Sequence, residues 1–272
     1  METGRECMLL EHLMSKSERL NAAEVSVIKS GRRLLDNVSL TASGSELIGL
    51  IGPNGAGKST LLSILAGIDT PDSGLVQIDH QPIGKLGIQT RARTIGWLEQ
   101  SGSVHWPISV ERLVMLGRIP HLPAWSQATH VDQQAVERAL ASADCLSFRT
   151  QSVTTLSGGE RSRALLARAL AAEPDVLFAD EPVSALDLGH QLQTMQLLRE
   201  FASGDQCAVV VLHDLSLAAR YCDRLYLMYE GRIAASGSVA SVLSPQNLAS
   251  VYGVSVISGC DEVPWIVPVA RL

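Results

Sequence analysis

The chain has 272 residues, of which 46% are hydrophobic and 18% charged, a composition that supports one large domain with an inserted lobe and excludes disordered and collagen-like chains. Its formal charge of −6, from 22 basic against 28 acidic residues, speaks against a nucleic-acid binder that relies on a basic surface. The five cysteines, Cys7, Cys145, Cys207, Cys222 and Cys260, form neither a CxxC nor a Cys/His pair at metal-ligand spacing, which points to a reducing cytosol.

Residues 1–20 carry Glu2, Glu6 and Glu11 around a short Met8-Leu9-Leu10, lack the basic start of a secretory signal, and read as a frayed extension. Residues 24–27 and 35–40 are short alternating strands around a Gly31-Arg32-Arg33 turn, an antiparallel entry. Residues 46–51 form an apolar run expected as a buried strand, followed by a glycine-rich loop and a helix over 60–66. Between 101 and 165 the pattern turns mainly helical, with helical spacing over 110–116 and 131–143 and prolines at 107, 120 and 123. From 164 onward, helix (164–172), strand (176–178), helix (192–201), strand (208–212), helix (215–221) and a strand over 224–228 leading into a hairpin at Gly231 alternate. The expected fold is therefore α/β: a P-loop core with a mostly parallel sheet, an antiparallel β entry and an inserted helical lobe. The expected organisation is an extension over 1–20, one domain over 21–240 with its lobe at about 101–165, and a C-terminal extension over 241–272. No apolar run reaches the ~18 residues that span a bilayer, so a membrane role has to come through a partner.

The loop Gly52-Pro53-Asn54-Gly55-Ala56-Gly57-Lys58-Ser59-Thr60 satisfies GxxxxGK[ST] between an expected strand and helix. Glycines let successive N–H groups turn toward phosphate oxygens, the helix N-terminus adds positive potential, Lys58 neutralises the β/γ region and Ser59 offers a hydroxyl to Mg²⁺. Kinases, GTPases and helicases share such a loop, and the absence of NKxD and DxxG counts against a GTPase. Farther on, after Asp175, an apolar run over 176–179 ends in Asp180 and Glu181, placing one carboxylate for the Mg²⁺ shell and a neighbour for accepting a proton from water. Between the two motifs stands Leu156-Ser157-Gly158-Gly159-Glu160, just before a helix. Ser157 and Glu160 make an S-x-x-E capping box, while Gly158 and Gly159 add bare backbone at the helix N-terminus, the makings of a second phosphate cradle.

Taken in this order, the motifs resemble the nucleotide-binding subunits of ABC transporters over residues 22–240. The resemblance implies ATP as substrate, Mg²⁺ as its metal, and a head-to-tail dimer in which the signature loop of one copy closes over ATP on the other. It implies that 52–60 is the Walker A loop, Gln100 the Q-loop glutamine and a metal contact, and 156–160 the signature. Asp180 becomes the Walker B aspartate, Glu181 the catalytic base, residues 184–187 with Asp187 the D-loop, and His213 the switch histidine. Two departures stand out: residues 25–35 hold no aromatic to stack on adenine, and Ser162 stands where many relatives have glutamine.

The stretch beyond His213 is too short for the regulatory domain of sugar-importer relatives. Residues 116–121 (Leu116-Gly117-Arg118-Ile119-Pro120-His121), 187–192 and 248–254 look like the ATPases of importers for ferric siderophores, haem and cobalamin. That resemblance implies transmembrane permease subunits as partners, an extracytoplasmic substrate-binding protein indirectly, no nucleic acid, and a place at the cytoplasmic face of the inner membrane. An exporter subunit and a soluble ATPase of DNA repair or translation are the competing readings. A single cassette, the lack of heptads and the acidic balance count against the second. Trp97, Trp106 and Trp125 fall within or beside the segment after Gln100, where the family places the groove for a permease helix. At least Trp106 or Trp125 is expected to be solvent-accessible in the isolated subunit.

Overall fold

The computed structural model describes residues 18–100, 104–123, 125–260 and 263–272. Residues 1–17 of the expected extension lie outside this set; Glu18 to Leu20 already belong to the first strand. β1 (Glu18–Lys29) and β2 (Arg32–Ser43) pair antiparallel, and β4 (Ser73–Ile78) and β5 (Gln81–Pro82) extend them into a four-stranded sheet. A second sheet carries six strands in the order β10-β9-β3-β8-β7-β6. Its members are β3 (Glu46–Ile51), β6 (Ile95–Leu98), β7 (Val176–Asp180), β8 (Cys207–Val211), β9 (Arg224–Tyr229) and β10 (Arg232–Ser238). All neighbours are parallel except β10 on β9, which pair antiparallel across a tight turn.

Every residue of β3, β7 and β8 is buried, as parallel strands covered on both faces require. The period of two divides them cleanly. Ile48, Leu50, Phe178 and Val209 face a core shared with the antiparallel sheet and α1 (Lys58–Leu65), whereas Leu47, Ile51, Leu177 and Val210 face the core of the helical side. That second side is built by α3 (Val110–Met115), α4 (His130–Ser142), α5 (Gly158–Ala171), α6 (Leu188–Phe201) and α7 (Leu215–Tyr221). A short α2 (Ile88–Thr94) precedes β6. Beyond β10, α8 (Val239–Val242), α9 (Pro245–Tyr252) and a hairpin of β11 (Val254–Cys260) and β12 (Pro264–Arg271) fill the stretch expected only as an extension. The hairpin docks on α7, where the Ser216 hydroxyl lies 3.1 Å from the Ile266 carbonyl and accepts the Ile266 N–H at 3.2 Å.

The two larger sheets are tied by a buried phenol. Tyr226 Oη in β9 accepts the Thr41 N–H of β2 at 3.0 Å and donates to the Thr41 carbonyl at 3.1 Å. Tyr226→Phe removes both bonds from a part-buried place, so urea unfolding should show a loss of about 1 kcal/mol, with nucleotide affinity of the folded protein unchanged.

Candidate active site

Three fully buried parallel neighbours set the geometry. Val211 of β8 is in register with Leu50 of β3 on one side and Asp180 of β7 on the other. The segments leaving these strands therefore emerge along one edge of the sheet: Gly52 after β3, Glu181 after β7, His213 after β8. β6 flanks β7, so Gln100, two residues past its end, emerges at the same edge. This is where ligands bind in open α/β sheets.

The loop after β3 needs its first glycine for room: Gly52 has φ +146°, and a Cβ there would stand 2.2 Å from the Met228 carbonyl oxygen. The loop turns into α1 with Lys58 as the first helical residue, so the N–H groups of the first turn point into the cleft without intrahelical partners. Lys58 is buried and folds back on its own loop, donating to the carbonyls of Gly52 at 2.8 Å and Pro53 at 3.0 Å. Burial holds its pKa below the usual lysine range, opposed by the charges of Glu181 and Asp180. Ala56 is buried in the loop wall, and its carbonyl accepts the Gly231 N–H at 3.1 Å.

Asp180 closes the cleft from β7. Burial raises its pKa, and a hydrogen bond from Ser59 works against that rise. Its Oδ1 is buried with no hydrogen-bond partner among the described residues. A carboxylate oxygen left bare in a buried place beside a serine hydroxyl fits a divalent cation. The described residues hold no cluster of three or more His, Cys, Asp or Glu that could bind a metal alone. Ser59 and Asp180 thus suit Mg²⁺, which takes few protein ligands and completes its shell with phosphate and water.

Glu181 follows in the left-handed region, φ +49°, and the sharp turn aims its side chain at two neighbours. Gln100 Nε2 donates to its Oε2 at 2.5 Å, and His213 Nε2 lies 2.5 Å from its Oε1. All three line a cleft of about 490 Å³ with Asn54, Gly55, residues 57–60 and Leu34. The window 25–35 holds no aromatic, and Leu34 is the aliphatic residue in it that lines the cleft, a position with no local pattern to mark it.

Other expected site residues lie away from this cleft. Ser157 caps α5: its hydroxyl accepts the Glu160 N–H at 3.3 Å, and Glu160 Oε2 accepts the Ser157 N–H at 2.9 Å. The two glycines that follow are not demanded by packing, because a Cβ would meet its nearest neighbour at 4.0 Å at Gly158 and 3.5 Å at Gly159. Gly158 lines a second cavity of about 250 Å³, whose wall includes Gln100 and Glu181 of the phosphate cleft. Asp187 caps α6, accepting the His190 N–H at 3.0 Å and standing 2.8 Å from His190 Nδ1.

Trp106 and Trp125 are open to solvent, at 70% and 103% relative exposure. Trp97 is half-buried and lines a shallow groove of about 230 Å³ with Leu116, Gly117, Pro120 and Arg168.

Residues 35–184 match the model of the ABC transporter family. The hemin import ATP-binding protein HmuV of Pseudomonas aeruginosa is 42% identical over 243 residues, covering 88% of this chain and 94% of that protein. The cobalamin import ATP-binding protein BtuD of Halobacterium salinarum is 39% identical over 254 residues and 93% of this chain, and the chain spans 63% of that relative's length. Among solved structures, one described as a metal-chelate type ABC transporter in an inward-facing conformation superposes with a TM-score of 0.81 over 93% of this chain and 98% of its own, at 24% identity. A dimeric bacterial ABC transporter cassette superposes with a TM-score of 0.73 over 81% and 98%, at 28% identity. With more than half of its length inside the family's model and its motif loops gathered at one sheet edge, this chain belongs to the ABC transporter family.

Proposed function

We propose that this chain is the ATP-hydrolysing subunit of an importer for a metal chelate of the haem, cobalamin or ferric siderophore type. The observation that carries the reading is the convergence of Gln100, Glu181 and His213 on the phosphate loop, with the signature glycines held outside that cleft. A phosphate cradle at Gly158 and Gly159 that its own chain does not use is suited to a nucleotide on a second copy, in a head-to-tail pair. The import names of the relatives support transport inward. No helix among the described residues is long and apolar enough to cross a membrane, so the permease and its membrane location come through partners, with a substrate-binding protein outside. The groove beside Trp97, with the exposed Ile119 lying in the chain between its lining residues Gly117 and Pro120, suits an apolar helix of that permease.

In the reaction, Lys58 and the loop N–H groups offset the negative charge of the β- and γ-phosphates. Glu181 takes a proton from water as its oxygen bonds to the γ-phosphorus and the bond to the β-phosphate oxygen breaks, leaving ADP and phosphate. His213 holds the γ-phosphate and the water in line, and Gln100 reports phosphate occupancy to the helical lobe. Ser59, Asp180 and Gln100 would hold Mg²⁺, which supplies charge neutralisation at the phosphate oxygens when bound.

Glu181→Gln should lower ATP turnover at least about a hundredfold while ATP still binds and an ATP-closed dimer accumulates; wild-type turnover would remove Glu181 as the base. Lys58→Ala should weaken ATP affinity about tenfold or more, on the order of 1.4 kcal/mol, with the thermal midpoint moving little, both read on one preparation. Leu34 offers the base an aliphatic contact that cannot tell purines apart, so ATP should be preferred over GTP by less than about tenfold in a competition assay. A larger preference would show that another residue reads the base.

A further inference from the structure

The segment Leu116–His121 contributes nothing to the nucleotide cleft, yet it carries the most elaborately bonded arginine in the helical lobe. Arg118 is 4% exposed. Its Nε donates to Asp132 Oδ1 at 3.0 Å, and its Nη1 donates to the Ala171 carbonyl at 2.8 Å and to Glu173 Oε2 at 2.7 Å. His121 Nε2 lies 2.8 Å from the next carbonyl, that of Ala172. Both carbonyls belong to the C-terminal end of α5, where the helix has none of its own N–H groups left to offer. The fit on that helix is tight, since a Cβ at Gly117 would stand 2.2 Å from the Arg168 carbonyl oxygen. From the other side, Arg93 Nε at 2.7 Å and Gln89 Nε2 at 3.1 Å, both on α2, donate to the Pro120 carbonyl.

A helix end can satisfy its carbonyls with water, so capping alone does not call for a buried guanidinium. A buried ion pair is poor evidence of stability, because desolvation offsets much of the attraction; what a planar fork with several fixed acceptors does supply is one geometry. Here that geometry sits between two functional places. Leu116, Gly117 and Pro120 wall the groove beside Trp97, while α5 runs 14 residues from Ala171 back to Gly158, a rod about 20 Å long. We propose that Arg118 is a positioning residue that locks the 116–121 turn onto the end of α5, so that the groove wall and the signature residues Ser157 to Gly159 move as one body.

This inference rests on the dimer reading above, and the test separates the two. Arg118→Met and Gly117→Ala are each introduced into the Glu181→Gln protein; the second keeps every charge and carries the test if the first does not fold. A fluorescent ADP analogue measures binding at the phosphate loop of one copy, and analytical ultracentrifugation measures the dimer fraction as ATP is raised. The expected result is ADP affinity within twofold of the parent and a dimer that needs at least tenfold more ATP, because the signature loop is misplaced while the P-loop is not. In the Glu181-intact background, kcat should fall at least tenfold. A dimer forming at the parent's ATP concentration overturns the inference, and so does a loss of ADP binding in step with the dimer, which marks a merely structural role. If Glu181→Gln alone forms no dimer with ATP, the functional reading falls and the inference with it.

Discussion

The site depends on the register of three buried strands. Because Val211 lies level with Leu50, 161 residues earlier, and with Asp180, 31 residues earlier, the segments that follow all three leave the sheet side by side. A slip of one residue in β8 would turn Val209 and Val211 from one core into the other and carry His213 away from Glu181. The interior of β3, β7 and β8 is apolar on both faces, which fixes that register before any catalytic residue is considered.

Much of this was legible in the sequence. The apolar runs of β3, β7 and β8 are long and uninterrupted, and the loop after β3 has a pattern whose chemistry leaves little choice. The antiparallel entry, α3, α4 and α7 followed from periodicity and turn residues. What escaped was locally quiet. α2 has no buried residue and presents no apolar stripe, β5 is two residues long, and β4 buries only Val76 and Ile78. In the C-terminal hairpin of β11 and β12, β12 carries mostly exposed side chains, and the contact that docks the hairpin on α7 joins residues 50 apart. The same limit hid the partners of Glu181. That it would follow an aspartate at a strand end was plain, but that Gln100 and His213 would take one oxygen each depends on the sheet order β8-β7-β6, which no local window contains.

On the function proposed above, the molecule also separates what holds nucleotide from what completes the site. Lys58, Ser59 and Asp180 belong to the strand edge and are buried or hydrogen-bonded into it. Ser157, Gly158 and Gly159 begin a helix whose other end is bonded through Arg118 to the wall of a groove. On that reading, affinity and closure belong to different parts of the molecule. Mutations in the first set should move binding constants, and those in the second should move rates and assembly.

The pair of bonds on Glu181 has a consequence for an idle subunit. Each carboxylate oxygen is already occupied, one by a side chain following β6 and the other by a side chain following β8. The two bonds tie one carboxylate to two separate loops, and each oxygen keeps a lone pair for a further donor. On the reading proposed above, a nucleotide that moves either loop alters the surroundings of the same carboxylate, so two distant segments of the chain answer to one group.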